Sequence, residues 1–228
     1  MAATAAVRSP AWSPDGSTVV YERVGFAARP MESKPLYGWD GDWECRFADV
    51  FPRPSPQGRL VLTQKQLGNS SVVAMDPDGK TGEKVVFDSS AAGEVDVSLV
   101  TQGLAGAFQP AWSPDGEWVA FGLGQWFQAR ATAKAKVYRA TANGCCYEAL
   151  TDGTWGVCYL TNATDNLPAW STDDGERVVF TRKTRPTKFD TFQPYGQIMS
   201  MNADGSNKTM LTDSLWEDSM PLYVPNDI

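Results

Sequence analysis

Twenty-seven acidic side chains and not one histidine set the limits of the chemistry open to this 228-residue chain. Without histidine, neither a Ser-His-Asp nor a Cys-His nucleophile can be assembled, and imidazole metal ligation is excluded. No G-x-S-x-G elbow, no G-x-x-x-x-G-K-[ST] loop and no G-x-G-x-x-G strand-to-helix unit is present. Carboxylates remain. Asp15, Asp78, Asp115 and Asp204 each stand directly before a glycine. Asp76-Pro77-Asp78-Gly79 has the look of an acidic calcium loop, but the twelfth place from Asp76 is Phe87, not the bidentate glutamate such a loop needs. These aspartates are therefore read as turn residues. Cys45, Cys145, Cys146 and Cys158 match no zinc or redox spacing. The adjacent Cys145 and Cys146 are read as packed thiols rather than a strained vicinal disulfide. No catalytic, cofactor-binding or metal-binding residue is assigned, and the chain is read as a non-enzyme.

One cluster remains as a contact site. Trp39-Asp40-Gly41-Asp42-Trp43 puts two tryptophans around an acidic loop. Aromatic and charged side chains on a loop held by a rigid scaffold suit partner recognition. Trp39, Asp40, Asp42 and Trp43 are the candidate contact residues, and satellite core packing is the alternative role.

The elements that would carry such a loop are repeated. Pro10-Ala11-Trp12-Ser13-Pro14-Asp15-Gly16 returns as Pro110-Ala111-Trp112-Ser113-Pro114-Asp115-Gly116. It returns again, with one residue inserted, as Pro168-Ala169-Trp170-Ser171-Thr172-Asp173-Asp174-Gly175. Pro52-Arg53-Pro54-Ser55-Pro56-Gln57-Gly58 is a worn copy, and Pro221-Leu222-Tyr223-Val224-Pro225 a stub. Recurrence at this period marks an array of one small supersecondary unit. Ser-Pro-Asp-Gly suits a type I turn, and the apolar runs after it, such as Val19-Val20-Tyr21 and Val178-Val179-Phe180, read as strands. A second hairpin follows around Asp78-Gly79, Asn143-Gly144 and Asp204-Gly205, with later copies ending in Leu150-Thr151 and Leu211-Thr212. Two hairpins in series give a four-stranded antiparallel blade. The expected fold is all-β: four blades over residues 10–51, 52–109, 110–167 and 168–220, and a closing strand at 221–228 that latches onto the first blade. Trp12, Trp112 and Trp170, at one blade position, are expected in the core between blades.

On these phrases the chain resembles the TolB-like β-propeller repeat family, over residues 10–227. The resemblance implies a ring of about six blades used for binding protein or peptide, commonly outside the cytoplasm. Related propellers form the non-catalytic domains of tricorn-like and dipeptidyl-peptidase-like enzymes. A carbohydrate- or peptide-processing propeller, or the accessory domain of a peptidase, is the alternative function. Four blades fall short of six. Leu160-Thr161-Asn162 repeats a blade ending ten residues after Leu150-Thr151-Asp152, with no Pro-x-Trp between. The economical reading is a blade lost near residues 155–159; a long loop containing Leu-Thr is the alternative.

Composition narrows the partners. A net charge of −7 disfavours nucleic acid, which wants a basic surface. No stretch approaches the ~20 apolar residues of a membrane span.

Overall fold

The computed structural model describes residues 4–26, 48–66, 69–90, 106–124, 135–152, 164–172, 174–183, 196–214 and 216–224. Within them the chain forms fourteen strands and no helix. The second blade has strand order β3 (Ala48–Pro54), β4 (Leu60–Gln66), β5 (Asn69–Met75) and β6 (Lys84–Phe87). The third is β7 (Gly106–Trp112), β8 (Trp118–Gly124), β9 (Ala135–Thr141) and β10 (Tyr147–Ala149). The fourth is β11 (Thr164–Trp170), β12 (Arg177–Lys183), β13 (Gly196–Asn202) and β14 (Thr209–Met210). Every pairing within a blade is antiparallel, and a single parallel bridge, Thr164 to Ala135, joins the third blade to the fourth. The first blade contributes β1 (Thr4–Trp12) and β2 (Val19–Phe26), paired with each other. Trp39, Asp40, Asp42 and Trp43 lie outside the described residues, as do the junction at 155–159, Cys45 and Cys158.

The turns form as their composition dictates. Gly16, Gly58 and Gly116 each donate their N–H to the carbonyl of the serine three residues back, at 2.9, 3.0 and 2.9 Å. The aspartate or its equivalent closes the turn from inside: Asp15 Oδ1 accepts from Ser13 Oγ at 2.5 Å and from Ser17 N at 3.1 Å. Asp115, Asp174 and Asp204 accept from backbone N–H groups two residues ahead. The hydrogen bond from Ser13, followed by those from Ser17, lowers the Asp15 pKa to about 2. These carboxylates hold turns.

Side chains alternate between the two neighbours of each blade, as the strand period of two requires. Trp112, Val119 and Phe121 pack with Val61, Val72 and Val86 of the second blade. Ala120, Val137 and Leu150 pack with Trp170, Val178 and Phe180 of the fourth. Trp112 and Trp170 thus plug into the blade that precedes each. Trp112 is 9% exposed and Trp170 6%. Trp12 is 69% exposed and does not join a core, contrary to expectation, because no blade precedes it among the described residues. Val19 and Tyr21, on the same face, are exposed with it.

The Leu-Thr endings lie just past the outer strands. Leu150 donates its N–H to Val137 O at 2.8 Å, and Thr151 Oγ1 accepts from Val137 N at 3.0 Å. Leu211 and Thr212 repeat both bonds on Ile198. The threonine hydroxyl therefore satisfies a third-strand N–H that the short outer strand does not reach.

Residues 222–224 form no strand, and β1 pairs with β2 rather than with them. Among the described residues the expected latch is not seen. The chain just before it lies beside the fourth blade instead, where Met220 N donates to Thr181 Oγ1 at 3.2 Å. Phe51 N makes the equivalent bond to Glu22 Oε1 of the first blade, at 2.8 Å.

Candidate functional site

The strands nearest the centre of the array, β1, β3, β7 and β11, share one irregularity. Each slips register immediately before its phrase, between residues 8 and 11, 50 and 53, 108 and 111, and 166 and 169. At each slip the residue before proline has positive φ: Ser9 49°, Phe51 58°, Gln109 57° and Leu167 55°. Met220, before Pro221, has 59°. Proline pushes its predecessor toward extended conformations, and bulky L-residues avoid this region. Strain of this kind costs on the order of 1–3 kcal/mol and persists only where the surroundings enforce it. Bulges of this kind re-aim side chains. Here they turn Gln109, Leu167 and Met220 into one shared hollow.

That hollow has a volume of about 490 Å³. Its wall is dominated by Pro14, Pro54, Pro56, Pro110, Pro114, Pro168 and Pro221, with Trp112 and Trp170 behind them. Neighbouring turns are tied at its rim, since Gln57 Nε2 donates to Asp115 O at 2.9 Å. Three of the lining residues carry polar groups that bear on its chemistry. Gln109 Oε1 and Trp112 Nε1 are buried and lack a hydrogen-bond partner among the described residues. Trp170 Nε1, by contrast, donates to Ala111 O at 3.1 Å. Arg53 is the third, with no ion-pair partner among the described residues, and burial lowers its guanidinium pKa. A second hollow of about 330 Å³ opens between the first two blades, next to Val20, Leu60, Leu62 and Met75. Pro54 holds the place that Trp112 and Trp170 hold in their blades, so no indole plugs into the first blade there.

A buried ion pair lies farther out in the fourth blade. Arg182 Nε and Nη2 donate to Asp165 Oδ1 and Oδ2 at 2.6 and 2.7 Å, and both side chains are buried. Burial pushes the Asp165 carboxyl pKa up, against the hydrogen bonds and charge of Arg182. This pair ties β11 to β12 and faces no cavity described here. Among the described residues no three His, Cys, Asp or Glu side chains gather as a metal site, and no helix is long and apolar enough to cross a membrane.

Cys145 and Cys146 are exposed rather than packed, which corrects the reading from sequence. They occupy the β9–β10 turn, where nothing covers them. The hollow itself was missed in the sequence. Its available signal was a residue-proline pair in every phrase, Ser9-Pro10, Phe51-Pro52, Gln109-Pro110, Leu167-Pro168 and Met220-Pro221.

Solved structures place this architecture. TolB from Acinetobacter baumannii superposes with a TM-score of 0.54 at 16% identity, over 94% of this chain and 45% of that one. A putative TolB from Agrobacterium tumefaciens gives 0.41 at 20% identity, over 91% and 81%. A puromycin-hydrolysing peptidase from Mycobacterium tuberculosis gives 0.46 at 15%, over 91% and 38%. No protein-family profile matches the chain. The chain spans less than half the length of the Acinetobacter protein. With the blade topology above, the chain has the fold of a TolB-like β-propeller with fewer blades than a full ring.

Proposed function

We propose that this chain is a non-catalytic binding scaffold whose inner-strand hollow takes an extended peptide segment carrying an acidic group. The supporting observation is that two lining residues, Gln109 and Trp112, each keep a buried polar atom without a hydrogen-bond partner among the described residues, and that a third, Arg53, brings a partly buried guanidinium. A buried donor or acceptor without a partner costs about 1–3 kcal/mol, so a ligand that supplies both partners recovers that loss. A peptide group does so: its carbonyl accepts from Trp112 and its N–H donates to Gln109. A carboxylate next to Arg53 adds a charge-assisted bond. The volume lies in the range of pockets that enclose small ligands or a few residues. Prolines and indoles give the rigid, low-entropy wall that suits an extended chain.

The test is selection from a displayed random-peptide library against the full chain, followed by titration of the recovered sequences. Enrichment of acidic peptides, with about tenfold or weaker binding to Arg53→Gln, is the expected result. Recovery of no binder, or binders indifferent to Arg53→Gln, would remove the basis for the proposal.

A further inference from the structure

The β9–β10 turn carries two thiols that the repeat does not need. Thr141-Ala142-Asn143-Gly144-Cys145-Cys146 aligns with Asn202-Ala203-Asp204-Gly205-Ser206-Asn207 in the fourth blade. The two turns share their inner bond but close differently, Thr141 N donating to Cys146 O at 3.0 Å and Asn202 N to Ser206 O at 2.9 Å. Cys145 N donates to Asn143 Oδ1 at 3.0 Å, and Ser206 N to Asp204 Oδ1 at 2.8 Å. Gly144 and Gly205 close them with φ of 72° and 83°. Serine therefore makes in one blade the turn bond that Cys145 makes in the other, and both turns are held through backbone groups. Neither backbone bond needs a thiol.

Their geometry is specific. Cys145 Sγ lies 3.2 Å from Cys146 Sγ and 3.4 Å from Thr141 Oγ1, and both side chains are exposed. The hydrogen bond from Thr141, then that from Cys146, lowers the Cys145 pKa, while Cys145 in turn raises that of Cys146. Cys145 is therefore the more readily ionised of the two thiols. A disulfide here is disfavoured: adjacent Cα atoms stand about 3.8 Å apart, below the usual range of about 4.4–6.8 Å for bridged cysteines. A structural zinc ion needs four ligands, and no third or fourth donor gathers at the turn among the described residues. A small trivalent centre asks for less. It bonds two sulfurs at a narrow angle and needs only one further substituent, which it brings itself.

We propose that Cys145 and Cys146 form a bidentate dithiol site that captures trivalent arsenicals of the arsenoxide class. In the reaction two As–S bonds form and the As–O double bond breaks. The two thiol protons leave with that oxygen as one water molecule. Arsenic remains trivalent, so no oxidant or reductant is required. The turn lies against the second blade, where a Cβ on Gly144 would come within 2.6 Å of Val85 O. Capture therefore happens at the seam between two blades.

The experiment uses the full chain with phenylarsine oxide, read by intact mass and by titration of free thiols. One arsenical bound, with two thiols lost, is expected. The adduct should survive excess monothiol and be released by a vicinal dithiol. Cys145→Ser, which copies Ser206, and Cys146→Ser, an isosteric change at an exposed side chain, should each fold as wild type by circular dichroism. Each should release the arsenical to monothiol roughly a hundredfold faster, because the second sulfur no longer acts at high effective concentration. Wild-type release as fast as in the single variants overturns the proposal. So does undiminished two-thiol capture by the double variant, which would place the site at Cys45 and Cys158.

Discussion

Trp12 and Trp112 hold the same place in their blades, paired with Val19 and Val119 respectively, yet the first is 69% exposed and the second 9%. The phrase that carries them is identical in sequence, so the difference is tertiary. Trp112 packs into the preceding blade, and among the described residues no such blade faces Trp12. Trp112→Ala should destabilise by ~3–5 kcal/mol, whereas Trp12→Ala should stay within ~1 kcal/mol. Urea denaturation of both variants checks this; equal losses would mean that the first blade is covered after all.

The Asp165–Arg182 pair should behave as a buried ion pair. Removing one partner by Asp165→Asn takes the bidentate carboxylate from a buried guanidinium and should cost ~3–5 kcal/mol. Replacing both, as Asp165→Leu with Arg182→Met, should recover most of that loss or exceed wild type. A double variant as unstable as the single one would show that the charges do more than offset their own desolvation.

Thr151 is expected to matter through its hydroxyl. Thr151→Val keeps the shape but strips the acceptor from Val137 N, a buried donor. A loss of ~1–3 kcal/mol follows. Thr151→Ser, which retains the oxygen, should lose less. Thermal melts that rank the two variants the other way round would contradict the role given to the Leu-Thr ending.

Acid should loosen the turns. Asp15 has a folded pKa of about 2 against an ordinary 3.8. A depressed folded pKa contributes stability that is present above the unfolded value and lost as pH falls from about 4 toward 2. Asp78, Asp174 and Asp204 are shifted in the same direction. Asp165 is shifted the opposite way and so opposes the trend. The melting temperature of Asp15→Asn should fall less steeply than wild type over that window. An identical slope would mean that the Asp15 bonds do not persist in solution.

Much of this fold was legible in the residues. The strands after each Ser-Pro-Asp-Gly and the turns around Asp78, Asn143 and Asp204 follow from local propensity and turn chemistry, which a single sequence carries. The exposure of Trp12 was not legible, because it depends on what lies across a blade interface rather than on the phrase itself. Cys145 and Cys146 were misread for a related reason: cysteine is usually buried, but the hairpin geometry places these two at an uncovered turn. The hollow was invisible because its wall comes from five separate phrases. The positive φ of Gln109 and Leu167 also runs against the preference of any pre-proline residue. Trp39, Asp40, Asp42 and Trp43 remain a proposal from sequence, outside the described residues.

The most direct test of the binding account follows the indole N–H resonances of 15N-labelled protein during titration with a selected acidic peptide. Trp112 Nε1 has no partner among the described residues, while Trp170 Nε1 is already bonded to Ala111. The account predicts that the Trp112 signal moves downfield on saturation and that the Trp170 signal stays nearly still. A peptide that binds while leaving the Trp112 resonance in place would contradict it.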